Sequence, residues 1–390
     1  MNTPSAGEAR NDIVIERKAA FIAFERRLAD IMLDRSPARI REELSLGCWI
    51  HGAGAYGRSI AALLQEAAFP VLGFIDRRGG PEFDCALGLP VLHPKALSPE
   101  QARSRTFVGA VMNPAADSSE MLGWAGALPF AARVIGPDLP DALGERAGTC
   151  WRSSRRLIHD NLEALRTVFL RLADAESLRV YSALLDYRIT GLIEHHPPFD
   201  IANQYLPPDL PGFDRPITFV DGGAYTGDTC AHLLAQGIEI RRYVAFEPDR
   251  NNFTRLSDFV RNAPISESVA LPCGLSDGFR TLSFLDGQGL ASKVVDGGED
   301  AVTIVCVGLD QSLPGLRPDF IKMDIEGGEL AALEGMAQTI EAARPRLAVS
   351  LYHRPEDLWT LPAWISRYYD RLHIRQHAGY GFETVLYAIP

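Results

Sequence analysis

The sequence contains few cysteines and no apolar stretch long enough to cross a membrane. Its 390 residues include six cysteines, and none forms a Cys-x-x-Cys pair or lies at metal-ligand spacing from a histidine. No window approaches about 18 consecutive apolar residues, and Glu8, Arg10 and Asp12 precede the first apolar run. We therefore expect reduced thiols, no signal peptide, no membrane insertion and a cytoplasmic location.

Blocks of basic residues are also absent. The chain carries 39 Lys and Arg against 50 Asp and Glu, which gives a net charge of -11. Surfaces that bind nucleic acids or anionic membranes need clustered positive charge. The composition therefore predicts no nucleic-acid partner and favours a partner that is small or neutral. The length indicates two or three domains with sizeable cores.

The stretch ITFVDGGAYTGDT, residues 217–229, is typical of a buried strand that leads into a glycine-rich turn and then a helix. Asp221 closes the strand, and glycines in the turn allow a ligand to approach the backbone closely. These glycines are Gly222, Gly223 and Gly227. About twenty residues later a second strand ends at Glu247, where a carboxylate is placed to accept both hydroxyls of a ribose.

The spacing of these glycines indicates the kind of nucleotide. A dinucleotide site favours G-x-G-x-x-G, which admits a pyrophosphate at a helix N-terminus, whereas this turn has the spacing GG-x-x-x-G. An adenosyl ligand without phosphate fits better, and S-adenosylmethionine is such a ligand. We expect its ribose at Glu247 and its sulfonium near Asp221, with Thr229, Gln204 and Tyr205 as further contacts. The alternative is an ordinary α/β turn that binds no ligand.

Five polar residues lie at or just after the carboxyl ends of predicted strands. They are Asp221, Glu247, Asp277, Asp324 and His353. Because the carboxyl ends of parallel strands meet at one edge of a sheet, we expect these side chains to lie close together. The segment Gly274, Ser276 and Asp277 is placed near an adenine, although Asp277 also suits a simple turn.

Transfer of a methyl group from a sulfonium needs an aligned acceptor and a group that removes its proton. His353 is the first candidate base, because a neutral imidazole near pH 7 suits a hydroxyl acceptor, and Asp324 either orients it or takes the proton itself. A core or strand-capping role for His353 is the alternative. Secondary candidates for the acceptor pocket are His373, His377, Lys293 and Glu383.

The acidic run KMDIEGGE also suits a divalent metal. Asp324, Glu326 and Glu329 provide hard oxygen ligands. However, Glu326 and Glu329 fall at the start of a predicted helix, where the helix dipole favours a carboxylate without any function. We therefore expect no metal, and an ion held by these three residues is the alternative.

The first half of the chain contains a second glycine motif, HGAGAYGRS. Gly52, Gly54 and Gly57 match G-x-G-x-x-G, and Asp76 ends the following strand VLGFI. This half resembles the small nucleotide-binding module in front of some sugar-modifying enzymes. It predicts either a second site, for NAD or a nucleotide sugar, or a structural or dimerising domain that gives a homodimer.

Five segments together carry a family resemblance. They are FVDGGAYTGDT, AFEP, CGLSD, FIKMDIEGGELAALEGM and RPRLAVSLYH, in this order. The chain from about Gln204 to its C-terminus resembles the FkbM family of S-adenosylmethionine-dependent methyltransferases. The resemblance implies O-methylation of a hydroxyl on a sugar, a glycan precursor or a secondary metabolite. It also implies a cofactor site at Asp221, Gly223, Glu247 and the residues after Cys273.

The predicted architecture is an α/β protein with two Rossmann-like doubly wound sheets joined by a helical bridge. The second sheet is expected to be the seven-stranded sheet of class I methyltransferases. The predicted segments are a helical stretch at 1–46, a Rossmann-like domain at 47–150, a helical linker at 151–203 and a methyltransferase domain at 204–390. The alternative function is a non-catalytic nucleotide- or nucleotide-sugar-binding protein with a decayed methyltransferase half.

Overall fold

The computed structural model describes residues 6–80, 83–112, 123–285, 294–295 and 301–390. The chain divides into two compact units. The N-terminal unit comprises Met1–Phe169, Arg179–Pro198 and Ala378–Phe382, and the C-terminal unit comprises Leu170–Leu178, Phe199–His377 and Glu383–Pro390. The predicted domain boundaries stay predictions. None of the helices in the described part of the chain has the length and apolarity needed to cross a bilayer.

The N-terminal unit opens with two helices, α1 (Ala6–Asp34) and α2 (Pro37–Ser45). The hydroxyl of Ser36 accepts a hydrogen bond from the backbone N–H of Arg39, and Pro37 occupies the first turn. A serine cap followed by proline satisfies one free amide and presets the backbone angle of the first turn. The start of α2 is therefore encoded locally.

A six-stranded sheet forms the centre of the N-terminal unit, in the order β3-β4-β2-β1-β5-β6. Its strands are β1 (Cys48–His51), β2 (Val71–Ile75), β3 (Cys85–Ala86), β4 (Leu89–Leu92), β5 (Thr106–Gly109) and β6 (Ala132–Val134). All neighbouring pairs are parallel except β3 with β4. The predicted Rossmann-like sheet is confirmed.

Further helices lie between these strands along the chain or follow them. They are α3 (Ala55–Glu66), α4 (Pro99–Ala102), α5 (Asp138–Leu143), α6 (Arg155–Asp160), α7 (Leu162–Arg171) and α8 (Ala175–Thr190). In α3, Ile60, Ala61 and Leu64 are buried on one face, as the helical spacing of apolar residues requires. Helices α6 to α8 lie within residues 151–203, which the sequence predicted to be helical, and the role of this segment as a bridge stays a prediction.

A seven-stranded sheet forms the centre of the C-terminal unit, in the order β16-β17-β15-β14-β7-β8-β9. Its strands are β7 (Ile217–Gly222), β8 (Ile240–Phe246), β9 (Glu267–Leu271), β14 (Phe320–Met323), β15 (Arg346–Ser350), β16 (Leu372–Gln376) and β17 (Thr384–Ala388). Only β17 is antiparallel to its neighbours. The predicted seven-stranded α/β sheet is confirmed.

The middle of this sheet is buried on both faces. Every residue of β7 is buried, which is why its sequence is an apolar run rather than an alternating pattern. The ring of Phe219 lies 5.5 Å from that of Tyr243 and 5.0 Å from that of Phe320. This aromatic stack crosses three adjacent strands and packs them against one another.

Helices of the C-terminal unit connect the strands of this sheet. They are α9 (Asp228–Ala235), α10 (Arg250–Asn262), α11 (Leu309–Ser312), α12 (Glu329–Glu334), α13 (Ala337–Ala343) and α14 (Asp357–Ile365). Asp249 begins α10 by accepting hydrogen bonds from the amides of Asn251 and Asn252, as a helix-capping aspartate does.

A small second sheet is inserted between β9 and β14. Its strands are β10 (Gly274–Leu275), β11 (Arg280–Leu285), β12 (Val294–Val295) and β13 (Ala301–Val307), in the order β10-β13-β11-β12. β11 and β13 pair in antiparallel fashion. The parallel pairing of β10 with β13 places Gly274 in this small sheet.

Candidate functional site

Four of the five predicted strand-end residues lie on adjacent strands of the main sheet. Asp221 and Glu247 are at the carboxyl ends of β7 and β8, and Asp324 and His353 follow β14 and β15. β14 pairs with both β7 and β15, and β7 pairs with β8. The sheet order therefore brings these four side chains to one edge, where ligands of open α/β sheets bind.

Asp277 does not end a strand of the main sheet, contrary to the expectation that all five residues share one edge. It follows β10 of the small sheet and is exposed. Its carboxylate accepts a hydrogen bond from the hydroxyl of Ser276 at 3.2 Å and pairs with Arg280. Gly274 and Leu275 pair with β13 of the small sheet. The segment that leads to Asp277 therefore belongs to that sheet and not to the main sheet.

The glycine turn after β7 packs against the protein itself. A Cβ at Gly223 would overlap the carbonyl oxygen of Asp324, and a Cβ at Gly227 would overlap the ring of Phe259. Both glycines have positive φ, +72° and +88°, a region that other residues rarely adopt. A Cβ at Gly222 would lie 2.9 Å from the side chain of Leu275. These three glycines are therefore required for the packing of the turn against neighbouring chain atoms.

A buried ion pair stands where the sulfonium was expected. Asp221 is fully buried, accepts a hydrogen bond from the Tyr243 hydroxyl at 3.0 Å and lies 3.2 Å from Nζ of Lys322. Burial raises the pKa of Asp221 despite this lysine. Burial opposes the charge of Lys322 as well, but Asp221 and Asp324 outweigh it and raise the pKa of the ammonium. Lys322 also donates to the carbonyl of Gly223 at 2.6 Å, so the pair anchors the turn.

Glu247 is held at the edge of the sheet by two backbone amides. Its side chain accepts hydrogen bonds from the N–H of Tyr225 at 2.8 Å and of Asp249 at 2.9 Å. One amide binds each carboxylate oxygen, so each oxygen keeps a lone pair for a further donor. The residue is 6% exposed, and this burial raises its pKa to about 7. A fixed carboxylate with two free acceptor positions can bind a vicinal diol.

Asp324 is the centre of a hydrogen-bonded cluster. It accepts hydrogen bonds from the hydroxyls of Tyr205 and Tyr352, each at 3.1 Å. The Tyr352 hydroxyl also lies 3.1 Å from Oε1 of Glu383, whose Oε2 accepts from the Gln204 amide at 2.5 Å. Burial and the charge of Asp324 raise the pKa of Glu383. Two carboxylates with different protonation behaviour therefore share one tyrosine hydroxyl.

His353 lies between carboxylates. Its Nδ1 is 2.9 Å from Oε1 of Glu329, and its Nε2 is 3.2 Å from Oδ1 of Asp324 and 3.6 Å from Oε2 of Glu326. Burial favours the neutral imidazole, but the charges of Glu329 and Asp324 outweigh it and raise the pKa of His353 well above its usual value. This arrangement favours the imidazolium over the neutral imidazole that we expected near pH 7.

The pKa values of the neighbouring acids Asp324 and Glu326 shift in opposite directions. Burial works against ionisation of Asp324, but the adjacent imidazolium of His353 lowers the pKa of this carboxyl below its usual value. Burial raises the pKa of Glu326 to about 8, and the charges of Asp324 and Glu329 add to this effect. Asp324 is thus a carboxylate at neutral pH, whereas Glu326 binds a proton readily.

The site region matches a known family. Residues 221–382 match the family model described as Methyltransferase FkbM domain. This part of the chain is therefore similar to an FkbM methyltransferase domain. The match includes Asp221, Glu247, Asp324 and His353, whereas Gln204, Tyr205 and Glu383 lie outside it. No protein among the curated sequences matches the chain.

A solved structure shares the fold of this chain. The crystal structure of Methyltransferase FkbM from Methylobacillus flagellatus KT is 22% identical, covers 96% of this chain and 100% of its own, and has a TM-score of 0.73. A similarity at this identity shows a common fold. A second structure, titled "A Pericyclic Reaction enzyme", is 12% identical over 60% of this chain and 66% of its own, with a TM-score of 0.27. This score is too low to support any argument.

Other predicted residues of the C-terminal unit have structural partners. Nδ1 of His373 lies 2.6 Å from Asp174, and His377 binds the Asp200 carbonyl at 2.6 Å and the Tyr387 hydroxyl at 2.8 Å. Neither histidine is paired with a member of the Asp324 cluster in these contacts. Thr229 is buried in the first turn of α9. Lys293 lies outside the described residues.

Sequence reasoning missed two members of the site, Lys322 and Tyr352. A lysine inside the apolar strand FIKM is the signal for the first, because a buried ammonium needs a buried partner. Tyr352 directly precedes His353, but its contacts with Asp324 and Glu383 join residues that are far apart in sequence. No local pattern encodes that convergence.

Packing explains part of the glycine motif of the N-terminal unit. A Cβ at Gly57 would overlap the carbonyl oxygen of Gly52, whereas a Cβ at Gly54 would meet no atom within 4 Å. The carboxylate of Asp76 accepts hydrogen bonds from the Ala53 amide at 2.8 Å and from Arg78 at 3.0 Å. These hydrogen bonds occupy acceptor positions on the carboxylate to which a ribose would bind. The second nucleotide site stays a prediction.

Proposed function

We propose that this protein is an S-adenosylmethionine-dependent methyltransferase that methylates a hydroxyl group on a sugar, a glycan precursor or a secondary metabolite. The observation that carries the proposal is the position of Glu247. Its carboxylate stands at the end of the strand next to the glycine turn, fixed by two amides, with one lone pair per oxygen left for a ribose hydroxyl. The family match supports methyl transfer as the reaction.

The residues present fit an adenosyl cofactor at its ribose end. Glu247 would accept the two ribose hydroxyls, and the backbone between Gly223 and Gly227 would lie against the amino-acid end. Asp221 is fully buried and paired with Lys322. We therefore assign to Asp221 the positioning of the turn. We propose Tyr205 and Gln204 as further contacts of the cofactor. Their side chains donate hydrogen bonds to Asp324 and Glu383, respectively.

When bound, S-adenosylmethionine supplies a methyl group activated by its positively charged sulfur. The chain then has two tasks, to align the acceptor hydroxyl and to take its proton. Asp324 is ionised and held by Tyr205 and Tyr352, which suits it to orient the hydroxyl by accepting its hydrogen bond. Because its pKa is low, Asp324 is a weak base. We assign to Glu383 the role of the base that accepts the proton of the acceptor hydroxyl. Its carboxylate lies beside the Tyr352 hydroxyl, and its pKa is raised.

His353 takes a positioning role in this proposal. The charges of Glu329 and Asp324 raise the pKa of His353 well above its usual value, which favours the imidazolium and makes this residue a poor proton acceptor. Its positive charge keeps Asp324 ionised, and its ring holds that carboxylate at the edge of the sheet. This differs from the sequence-based expectation that His353 itself is the base.

The test uses purified protein, S-adenosylmethionine with a labelled methyl group, and a fraction of small molecules and glycans from cell extract. We expect label in one or a few acceptor compounds, located on oxygen by mass spectrometry. Glu383→Gln should lower the rate by about 10² to 10⁴, the usual contribution of a general base. Glu341→Gln changes an exposed residue of α13 in the same way and should have no effect.

Two outcomes would contradict the proposal. A protein that does not bind S-adenosylmethionine in calorimetry would exclude the cofactor assignment. A protein that binds it but labels no compound would favour the alternative of a non-catalytic binding protein. Label on nitrogen or carbon would retain the methyltransferase and exclude the hydroxyl acceptor.

A further inference from the structure

The cluster around His353 has the composition of a cation site. Asp324, Glu329 and His353 offer ligand atoms that all lie within 4.8 Å of one another. Glu326 joins them, because its Oε2 is 3.6 Å from Nε2 of His353. Three carboxyl groups therefore surround one imidazole, which is the mixture of oxygen and nitrogen ligands that divalent cations bind.

The two sides of the His353 ring are not equivalent. Nδ1 faces Oε1 of Glu329 at 2.9 Å, and Glu329 is 1% exposed and also accepts a hydrogen bond from the amide of Ile325. A buried carboxylate that binds one ring nitrogen fixes the orientation and tautomer of the ring. The other nitrogen is then presented as a ligand, as in the carboxylate–histidine–metal arrangement of metalloproteins.

The second ring nitrogen lacks a hydrogen bond. Nε2 of His353 is buried and has no hydrogen-bond partner among the described residues, although Oδ1 of Asp324 is 3.2 Å away. The side chain is 6% exposed. A buried polar atom without a hydrogen bond is costly in a folded protein and calls for an explanation such as an ion.

The distances suit a metal. Ligands about 2.1 Å from a metal lie roughly 3.0 Å apart in octahedral geometry and 3.4 Å apart in tetrahedral geometry. The separations of 3.2 Å and 3.6 Å from Nε2 to Asp324 and Glu326 are close to these values. One imidazole with two carboxylates is a donor set for Mn²⁺ or Zn²⁺ rather than for Cu⁺ or an iron–sulfur cluster.

We propose that Nε2 of His353 and the carboxylates of Asp324 and Glu326 bind a divalent cation, with Glu329 orienting the histidine. The cation would displace the protons that Nε2 and Glu326 carry in the free protein. Asp324 and Glu326 are 21% and 34% exposed, so the site is open on the side of these acids. The remaining coordination positions face that open side and can take water or an oxygen of a ligand.

The consequence for catalysis rests on the proposed function, whereas the cation site does not. A cation bound to Asp324 would lie beside the position assigned to the acceptor hydroxyl. Coordination of that oxygen would lower its pKa and ease the loss of its proton to Glu383. The acceptor class that fits best has two neighbouring oxygens, as in a sugar diol, because two oxygens can fill adjacent positions on the cation.

The test measures Mn²⁺ binding to the purified full-length chain after treatment with a chelator. Free Mn²⁺ is followed by electron paramagnetic resonance, and heat by calorimetry. We expect one saturable site, about 10- to 100-fold weaker in Glu329→Gln, the usual effect of changing a residue that orients a metal ligand. Glu326→Gln should weaken it at least tenfold. Glu334→Gln removes an exposed carboxylate at the end of α12 and should leave binding unchanged.

Three results would overturn the cation site. They are no saturable binding of Mn²⁺ or Zn²⁺ by the wild-type chain, equal binding by E326Q and E334Q, and binding that survives the change of His353 to Asn in folded protein. Circular dichroism and thermal unfolding check that each variant is folded. S-adenosylmethionine binding is measured on the same samples. Cofactor binding without Mn²⁺ binding contradicts only the cation site, and Mn²⁺ binding without cofactor binding contradicts only the proposed function.

Discussion

The ammonium group of Lys322 lies 3.2 Å from the carboxylate of Asp221, and both side chains are buried in the centre of the sheet. Lys322 is on β14 and Asp221 is on β7, so the pair joins two adjacent strands. The same ammonium donates to the carbonyl of Gly223. The glycine turn therefore depends on a charge pair that ordinary sequence motifs do not describe.

Replacing Lys322 by Met should destabilise the protein by about 3–5 kcal/mol, because it leaves the carboxylate of Asp221 buried without its partner. Chemical denaturation monitored by circular dichroism measures the change. The double variant Asp221→Asn with Lys322→Met should be more stable than the single variant, since no unpaired charge remains. If the two single changes simply add in the double variant, the pair is not coupled in this way.

Cofactor affinity should depend on pH through Glu247. Its pKa is about 7 in the free protein, and the carboxylate accepts ribose hydroxyls better than the protonated acid. Binding should therefore weaken as the pH falls below about 7, by up to about tenfold per unit. Calorimetric titration with S-adenosylmethionine between pH 6 and pH 8 measures this dependence.

Glu247→Gln provides the control for this pH effect. It should weaken binding by about 1.5–3 kcal/mol, the scale of hydrogen bonds to a charged group, and should remove the part of the pH dependence that belongs to this residue. An affinity equal to that of the wild type would contradict the ribose assignment. Glutamine is preferred to alanine, because its side-chain oxygen can still accept one of the two amide hydrogen bonds.

Gly223→Ala should lower stability by at least about 2 kcal/mol. The positive φ of this residue costs about 1–2 kcal/mol for an alanine, and the added Cβ would overlap the carbonyl of Asp324. Gly212→Ala is the matched control in the same unit, because its Cβ meets no atom within 4 Å. Thermal unfolding compares the two. Equal melting temperatures would show that the turn does not pack as described.

The N-terminal motif allows packing to be separated from ligand binding. Gly57→Ala should lower the melting temperature, since its Cβ would overlap the Gly52 carbonyl, whereas Gly54→Ala should leave it unchanged. If this unit binds a nucleotide, Gly54→Ala should reduce that binding without loss of stability. Titration of NAD and of a nucleotide sugar into both proteins measures the second effect.

Much of the fold follows from local sequence patterns. Apolar runs such as ITFV and FIKM predict buried strands, and acids at their ends predict the edge of the sheet at which Asp221, Glu247 and Asp324 are found. The order of the last two strands was not predictable in this way. β17 inserts between β15 and β16. This order depends on which strand edge is still unpaired after the rest of the sheet has formed.

The sequence by itself determined the strand and helix pattern of this protein, the glycine turn and the acids that end its strands, because apolar periodicity and turn chemistry act over a few residues. Only the tertiary structure decided the chemistry of those groups. It placed Lys322 against Asp221, set His353 between Asp324 and Glu329, and brought Glu383 to Tyr352. The protonation state of a buried group depends on charges that are distant in sequence and close in space, so these properties appear only when the chain is folded.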